Sequence, residues 1–299
     1  MPELPEVETV RRGLVPLCGS TITDCLVANA KVLRGQASDT FRNRLIGATV
    51  DAVDRRGKYL LVRLKQTDGS PEAFTIYIHL KMRGQIRLEP AHAEPGRYHC
   101  VTITTKNING ETRNLCFYDM WTWGEMRVFT ESEAKKVMPS LFKMGAEPLT
   151  EDWTGAALEL SLRGRRTAIK PTLLDQSVVA GVGNIYADEA LHRAGIHPRR
   201  VAGQLSRAET DDLVASIKTI LTEAIGTGGT TSDNFFDVTG GVGNYTPRVY
   251  ERAGKPCRGC DTVLTGIRLA GRSAVFCPVC QPEPVSAEFS TGKPGVKAI

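Results

Sequence analysis

The N-terminal residues carry the pattern of an amphipathic helix. Apolar side chains recur there at three- and four-residue steps, at Val7, Val10, Leu14 and Leu17. Pro5 suits the first turn of a helix, where its missing N–H removes no hydrogen bond. The pattern therefore predicts a helix that ends between residues 16 and 19.

From about residue 20 to residue 131 the pattern changes to short apolar runs separated by Gly, Asn and Asp. The predicted strands are Tyr59–Leu64, Thr75–Leu80, Tyr98–Thr104 and Leu115–Tyr118. Several short strands at this spacing are typical of a β-sandwich or a barrel. A polar connection that contains Pro and Gly follows them.

The second half of the chain carries helical signals. Ser206 and Glu209 form a capping box, and an apolar stripe continues from them to a Gly-Gly pair. Upstream, residues 173–175 and Asn184–Ala194 read as helical and flank a Gly-rich turn at residues 179–183. This order predicts a helix, a turn and a second helix.

Together these elements predict an α+β protein with an N-terminal helix, a β-sandwich, a helical module and a C-terminal β-hairpin. We expect residues 230–248 to form a mobile loop and the Pro- and Gly-rich residues 282–299 to form a disordered tail. The predicted boundaries are 2–131 for the sandwich domain, 132–150 for a linker, 151–245 for the helical domain and 246–281 for the hairpin.

Four cysteines form two CxxC pairs near the C-terminus: Cys257, Cys260, Cys277 and Cys280. Each pair can place two thiolates on one side of a tight turn, and two such turns supply four soft ligands for one zinc ion. The residues between the pairs suffice for a hairpin but not for a core, so the metal would fold this segment. Two disulfides and a redox-active CxxC are the alternatives.

The other four cysteines have no ligand spacing. They are Cys18, Cys25, Cys100 and Cys116. They lie among apolar neighbours, and a free cysteine behaves as a small hydrophobe. We expect all four to be buried core thiols.

Composition sets weak limits on function. The 299 residues suggest two domains. A net charge of +5 is only mild evidence for a polyanionic partner. No run reaches the roughly 18 apolar residues of a membrane span, and the acidic start is unlike a targeting segment. We expect a soluble, monomeric, cytoplasmic protein without a membrane partner.

Basic residues are clustered in two places. The first cluster holds Arg163, Arg165, Arg166 and Lys170, and the second holds Arg258, Arg268 and Arg272. Each cluster taken alone reads as a solvated surface. Two basic segments together with a zinc hairpin favour a nucleic acid as the binding partner.

The Gly-rich turn before Asn184 has two interpretations. Glycines allow the backbone N–H groups of a helix start to approach a phosphate, which the helix dipole also favours. A tight helix–helix turn has the same requirement for glycine. The segment alone leaves both open.

The N-terminus offers a candidate nucleophile. Removal of Met1 would expose a secondary amine on Pro2, and such an amine can attack a sugar aldehyde carbon to give an iminium. Glu3 and Glu6 are close by in sequence and could divide acid–base work. An ordinary capped helix explains the same residues, and residue types alone favour that explanation.

Several motifs together resemble the formamidopyrimidine-DNA glycosylase/endonuclease VIII family. The motifs are Pro2-Glu-Leu-Pro-Glu-Val-Glu-Thr9, Arg55-Arg-Gly-Lys58-Tyr-Leu-Leu61, His79-Leu-Lys-Met82, Ala168-Ile-Lys-Pro171, Gly181-Val-Gly-Asn184-Ile-Tyr186, Gly195-Ile-His-Pro198 and the cysteine hairpin with Gly271-Arg272-Ser273. The match covers most of residues 2–281 in order. The first and fourth motifs fit the formamidopyrimidine branch better than endonuclease VIII.

The resemblance implies a DNA-repair enzyme with a β-sandwich, a helix–two-turns–helix module and a zinc finger that holds one structural zinc ion. Such enzymes excise oxidised bases from double-stranded DNA, above all 8-oxoguanine and formamidopyrimidines, and then cut the abasic strand. A bacterial-type, nucleoid-associated location is implied as well.

The resemblance also implies catalytic roles by position. Pro2 would attack C1′, Glu3 would donate a proton that helps to open the sugar ring, and Glu6 would support it. Lys58 matches the lysine that is assigned a proton-donor role in β-elimination. Arg272 matches the residue that is assigned the same role in δ-elimination.

Further residues match DNA contacts. Asn184 matches a phosphate-binding asparagine, Arg165 a basic contact, and Met82 a side chain that fills the stack after a base is extruded. Residues 230–248 match the loop that closes on the extruded base. Arg97 stands where a DNA-contacting histidine is common, and we expect it to hold phosphate.

The chain departs from the family at Asp119-Met-Trp-Thr-Trp-Gly124, where Asp-Pro-Arg-Arg-Phe-Gly is usual. Trp123 can still stack against bases. Trp121 has one indole donor and cannot replace the paired hydrogen bonds by which arginine reads the orphaned cytosine. We therefore predict weak discrimination for cytosine opposite the lesion.

Two other functions stay open at this stage. One is a DNA-binding protein that senses damage without cutting, although the joint presence of Pro2, Glu3, Lys58 and Arg272 argues against it. The other is a glycosylase for oxidised pyrimidines.

Overall fold

The computed structural model describes residues 1–66, 73–231 and 235–283. The first half contains α1 (Leu4–Leu14), β1 (Thr21–Val27), α2 (Ser38–Leu45), β2 (Thr49–Arg56), β3 (Tyr59–Lys65), β4 (Phe74–His79), β5 (Gln85–Pro90), β6 (His99–Lys106), β7 (Thr112–Tyr118) and β8 (Glu125–Thr130). The second half contains α3 (Glu131–Val137), α4 (Pro139–Phe142), α5 (Gly155–Leu162), α6 (Ile169–Leu174), α7 (Asn184–Arg193), α8 (Arg207–Gly226), β9 (Thr265–Leu269) and β10 (Arg272–Phe276).

In the described part of the first half, eight strands form two antiparallel layers. Their hydrogen-bonded order is β5-β7-β6-β1-β2-β3-β4-β8. β1 and β2 are joined at one corner, through the pair Thr21 and Thr49. Ile103 and Phe117 from one layer and Val62 from the other share one buried apolar cluster. Two layers that face each other across a common core form a β-sandwich, so the predicted architecture is confirmed.

Helix α1 lies between the two halves of the molecule. Val7, Val10 and Leu14 belong to the sandwich core. Leu4, at the first turn, belongs instead to the core of the helical half. The start of the chain is therefore fixed at the junction of the two domains.

The helical half is built around α7 and α8. Ile185 and Leu191 from α7 pack with Ile217 and Leu221 from α8 in one buried cluster. The Gly-rich turn precedes α7, and Gly181 in it has φ +85°, where an added Cβ would collide with Leu4. This turn therefore needs glycine to let α1 approach α7.

The C-terminal hairpin pairs β9 with β10 in antiparallel register. Ala270 and Gly271 form its turn with φ of 46° and 78°, the two positive values of a type I′ hairpin turn. Arg272 is the first residue after that turn. The α+β class is thus confirmed in all three parts of the chain.

The strand and helix predictions are confirmed with small shifts. The predicted Tyr59–Leu64 lies inside β3, and the predicted helix Asn184–Ala194 corresponds to α7. Two features differ from expectation. Helix α2 lies in the region that was expected to hold strands, and the expected linker at 132–150 contains most of α3 and all of α4.

The prediction of four buried core thiols is wrong for Cys18. Cys25, Cys100 and Cys116 are buried, whereas Cys18 is exposed. Cys18 follows a short 3-10 helix at Val15–Leu17 and precedes Gly19, which has φ +84°. Residues in a connecting turn lie at the surface of a domain, where few elements can cover them.

Part of the segment expected to be a mobile loop is packed on the sandwich. Phe235 and Val238 are buried in the sandwich core, and Leu88 N–H donates to the Val238 carbonyl at 2.9 Å. Residues 232–234 of the loop and 284–299 of the expected tail lie outside the described residues. Within the ranges that the structure describes, no helix has the length and apolar character to cross a membrane.

Candidate active site

Glu6 ties three separated parts of the chain together at the start of α1. Its Oε2 accepts the Glu3 N–H at 2.8 Å. Its Oε1 accepts the Tyr186 hydroxyl at 2.6 Å and the Thr230 N–H at 2.9 Å. Glu6 is fully buried. A buried carboxylate with three donors is fixed in one geometry, so Glu6 sets the path of the backbone between Pro2 and Glu3.

The side chain of Glu3 lies at the N-terminus of α7. Its Oε1 accepts the Ile185 N–H at 2.9 Å, and its Oε2 lies 3.4 Å from the Tyr186 N–H. Burial raises the pKa of Glu3, and the positive charge of Lys58 opposes that rise. Two backbone amides of the first turn of α7 thus face the Glu3 carboxyl, and phosphate binding at this turn stays a prediction.

Lys58 and Glu3 both lie against the face of Gly183 that a side chain would occupy. An ideal Cβ on Gly183 would fall 2.5 Å from both Glu3 Oε1 and Lys58 Nζ. Burial lowers the pKa of Lys58, and the nearby Glu3 and Glu6 carboxyls oppose that effect. The glycine therefore leaves room for an acid and an amine at one backbone position.

A cavity of about 600 Å³ opens above these groups, between the two halves of the molecule. Residues from both halves and from the hairpin line it, among them Met1, Glu3, Lys58, Met82, Asn184 and Arg272. Met1 precedes Pro2 and lies at the cavity wall. The structure thus brings most of the predicted catalytic residues to one space.

Residues 119–124, called here the tryptophan loop, stand outside that cavity. Asp119 accepts the Trp121 N–H at 2.9 Å and the Gly124 N–H at 2.6 Å. The Trp121 and Trp123 rings are tilted by 48° with centroids 4.9 Å apart. Their side chains are 39% and 54% exposed. The loop therefore presents two adjacent aromatic faces to solvent from a backbone that is held in place.

The tryptophan loop is connected to the cavity through residues 82 and 83. Met82 lines the cavity, and the guanidinium of the next residue, Arg83, lies 5.2 Å from the Trp121 ring centroid. At that distance a cation attracts an aromatic face. Trp121 thus adjoins the cavity rim through Arg83, and Trp123 packs on Trp121.

Arg97 and Arg165 lie away from the cavity wall. The Arg97 guanidinium stacks over the Tyr98 ring at 4.6 Å. Arg165 pairs with Asp175 at 3.0 Å, and Asp175 does line the cavity. Their roles as DNA contacts stay predictions.

His79, Lys170 and Tyr250 are among the cavity residues to which sequence reasoning gave no catalytic role. His79 Nδ1 accepts the Lys81 N–H at 3.0 Å, so the ring proton is on Nε2. Burial holds the pKa of His79 well below its usual value. His79 and Lys170 lie in two of the motifs that carry the family resemblance, so the sequence held a signal for both residues. Tyr250 lies in none of these motifs.

The four hairpin cysteines fit a zinc site. Their Sγ atoms lie within 4.8 Å of one another, with 4.0 Å between Cys257 and Cys280 and 3.5 Å between Cys260 and Cys280. Tetrahedral Zn–S bonds of about 2.3 Å would place the sulfurs about 3.8 Å apart. Four thiolates fill every position around the ion, so the zinc is structural and takes no part in the chemistry.

Three family models match this chain. Residues 1–126 match the formamidopyrimidine-DNA glycosylase N-terminal domain, and residues 144–235 match the H2TH domain of the same family. Residues 254–282 match the zinc finger found in FPG and IleRS. The order of the three matches is the order of the sandwich, the helical half and the hairpin.

Comparisons over the whole length agree with these matches. The chain is 39% identical over 284 residues to the formamidopyrimidine-DNA glycosylase of Desulfitobacterium hafniense (strain DSM 10664 / DCB-2), covering 94% of this chain and 100% of the relative. A complex of a Lactococcus lactis FPG variant with a Fapy-dG containing DNA matches with a TM-score of 0.83 at 32% identity. A Lactococcus lactis Fpg complex with abasic-site DNA matches with a TM-score of 0.81, also at 32% identity. Each of these two structural matches covers 94% of this chain and 100% of the Lactococcus lactis chain.

Proposed function

Because the chain belongs to the formamidopyrimidine-DNA glycosylase family, whose members are base-excision repair enzymes, we propose that it removes oxidised purines from double-stranded DNA and then cuts the abasic strand. 8-Oxoguanine and formamidopyrimidines are the proposed bases. The proposed reaction runs through a covalent bond between Pro2 and the deoxyribose.

The nucleophile in this proposal is the Pro2 nitrogen. With Met1 attached, that nitrogen is an amide and its lone pair is delocalised. Removal of Met1 leaves a secondary amine at the wall of the cavity that Met1 now lines. The amine forms a bond to C1′ while the bond from C1′ to the base breaks, and the base leaves with the electron pair and takes up the proton that the amine loses. Breaking the C1′–O4′ bond then gives the iminium.

The observation that carries the proposal is the buried setting of Glu3 next to Pro2. Burial raises the pKa of its carboxyl, so Glu3 keeps its proton to a higher pH than an exposed glutamate does. A retained proton beside the sugar suits a general acid that protonates O4′ as the ring opens. Glu6 supports this role because it fixes the Glu3 backbone.

Strand cleavage follows from the iminium in two eliminations. In the first, water takes a C2′ proton, the C3′–O bond breaks and the 3′ phosphate leaves with the electron pair. In the second, water takes the C4′ proton, the C5′–O bond breaks and the 5′ phosphate leaves with the electron pair. In our proposal Lys58 serves the first step and Arg272 the second, as proton donors. Both line the cavity, and burial lowers the pKa of Lys58, which makes its proton easier to give up.

Borohydride trapping tests the covalent step. The wild-type enzyme should give a protein–DNA adduct on 8-oxoguanine duplexes and on abasic duplexes. Pro2→Gly should give almost none, since a primary amine in a flexible backbone is a poorer and less ordered nucleophile. Pro16→Gly, an exposed proline in the turn after α1, is the matched control and should trap normally. A wild-type protein that binds the lesion without any adduct would favour a damage sensor.

A panel of lesions and opposite bases tests the substrate assignment. Trp121 has one donor and adjoins the cavity rim, so we expect comparable excision of 8-oxoguanine opposite C, A, G and T. A strong preference for cytosine would contradict this. Faster excision of thymine glycol than of 8-oxoguanine would move the substrate class to oxidised pyrimidines.

A further inference from the structure

Strand β10 is bonded to the helical half through a buried ion pair. Lys170 on α6 and Asp188 on α7 are each 1% exposed, with Nζ and Oδ1 2.7 Å apart. Lys170 Nζ also donates to the Ser273 carbonyl. Asp188 Oδ2 accepts the Val275 N–H at 3.1 Å. The pair therefore holds two backbone groups of β10, one from the residue directly after Arg272.

A third contact holds Ser273 at the start of β10. The Asn184 side-chain amide donates to Ser273 Oγ at 3.2 Å. Asn184 is the first residue of α7, next to the amides that hold Glu3. The start of β10 is thus bonded to the helix that also fixes the proposed proton donor.

The zinc site by itself would fix β10 only at Cys277, which is far from Arg272 along the strand. Cys277 is five residues beyond Arg272, which corresponds to about 16 Å along a strand. A two-stranded hairpin has little stability of its own in water. Arg272 is exposed and follows the tight turn directly. Zinc can therefore keep the hairpin folded without fixing where Arg272 points.

The ion pair is a costly way to gain stability. Taking both charges out of water costs free energy that their attraction often only just recovers, and well-packed apolar residues can replace such a pair without loss. Apolar residues in place of this pair could not form hydrogen bonds to two backbone groups of β10. The contacts thus point to control of position.

We propose that Lys170 and Asp188 are positioning residues that hold Arg272 at the cavity for the second elimination. This inference rests on the proposed function, because it acts through the role given there to Arg272. Neither residue needs to touch the reacting atoms for this purpose. They act on the backbone that carries the arginine.

The double variant Lys170→Met/Asp188→Leu tests the proposal, because it removes both charges and keeps similar side-chain volumes. On a duplex with a preformed abasic site, gel analysis separates the β-elimination product from the β,δ-elimination product. We expect the ratio of δ to β product to fall by roughly one to two orders of magnitude, the usual effect of displacing a reacting group by about 1 Å. The ratio is taken among cleaved strands, so it does not depend on how fast the covalent bond forms, and zinc content should stay near the wild-type value.

The same double variant in an Arg272→Ala background separates an effect on the position of Arg272 from a general disturbance of the site. If Lys170 and Asp188 act through Arg272, the double variant should not change the product ratio further in a protein that already lacks the Arg272 side chain. An unchanged ratio in the first background, or an additional loss in the second, would overturn the proposal. Should the double variant lose zinc, Asp188→Asn keeps the side-chain volume and carries the same test. Failure of the wild-type enzyme to trap abasic DNA would instead contradict the proposed function.

Discussion

The cavity floor, formed by Glu3 and Lys58 with the fully buried Glu6 behind them, and the tryptophan loop are built in opposite ways. The floor side chains are at most 6% exposed, and Glu6 alone is bonded from three parts of the chain. In the loop the backbone is held by Asp119, while Trp121 and Trp123 are 39% and 54% exposed.

This difference separates two tasks. Buried groups in a low-dielectric site acquire the altered pKa values that proton transfer needs, and neighbours on every side restrict them to one geometry. Exposed aromatic rings on a fixed backbone can meet many bases, because every base has a π-face. Changes to the floor should therefore affect the rate, and changes to the loop should affect binding and base selection.

Glu3→Gln should give the largest effect. Loss of a general acid typically costs about 10² to 10⁴ in rate, so single-turnover excision of 8-oxoguanine should fall within that range. Because burial raises the pKa of Glu3, wild-type excision should decline as the pH rises through that pKa, and the variant should lack this decline. Cleavage of a preformed abasic site should suffer less, since the base has already left. Glu131→Gln, which removes an exposed partner of Lys135 on α3, is the control.

Gly183→Ala should come next. Its Cβ would collide with Glu3 and Lys58, and the resulting displacement should cost about 100-fold in excision. Gly226→Ala places a methyl group at the end of α8 where no atom lies within 4 Å, so it should be silent. Near-normal excision by the Gly183 variant would show that the floor is not rigid.

Trp123→Ala should act on binding. Stacking of one base on an aromatic side chain contributes about 1–3 kcal/mol, so we expect lesion-DNA affinity to weaken by about tenfold with the pH profile unchanged. Fluorescence anisotropy measures the affinity. A changed pH profile at normal affinity would contradict the separation of the two regions.

Arg34→Ala should have the smallest effect. The Arg34 guanidinium donates to the carbonyls of Thr122, Trp123 and Gly124, but it is exposed, so each bond contributes at most about 1 kcal/mol. A loss of affinity of about threefold is expected, and none for Arg42→Ala, whose partner Asp24 is 3.9 Å away. Equal effects in the two variants would mean that the guanidinium does not order the loop.

Local patterns in the sequence were sufficient for much of the fold. Short apolar runs bounded by Gly, Asn and Asp predicted β3 and β7, a capping box predicted the start of α8, and cysteine spacing predicted the zinc site. Helix α2 was missed because only Phe41 and Leu45 in it are buried, which leaves a weak helical period.

The site was predictable in its members but not in their contacts. The motifs named Glu3, Lys58, Asn184 and Arg272. No local pattern could show that Glu3 bonds to Ile185, 182 residues away, or that Lys170 bonds to Ser273, 103 residues away. These contacts arise from domain packing, which residue spacing along the chain does not encode.

Peptide mapping of the borohydride-trapped complex tests the central claim most directly. After digestion of protein and DNA, mass spectrometry should find the deoxyribose remnant on an N-terminal peptide that begins at Pro2 and lacks Met1. A remnant attached to Lys58, or fully active enzyme that still carries Met1, would contradict the account.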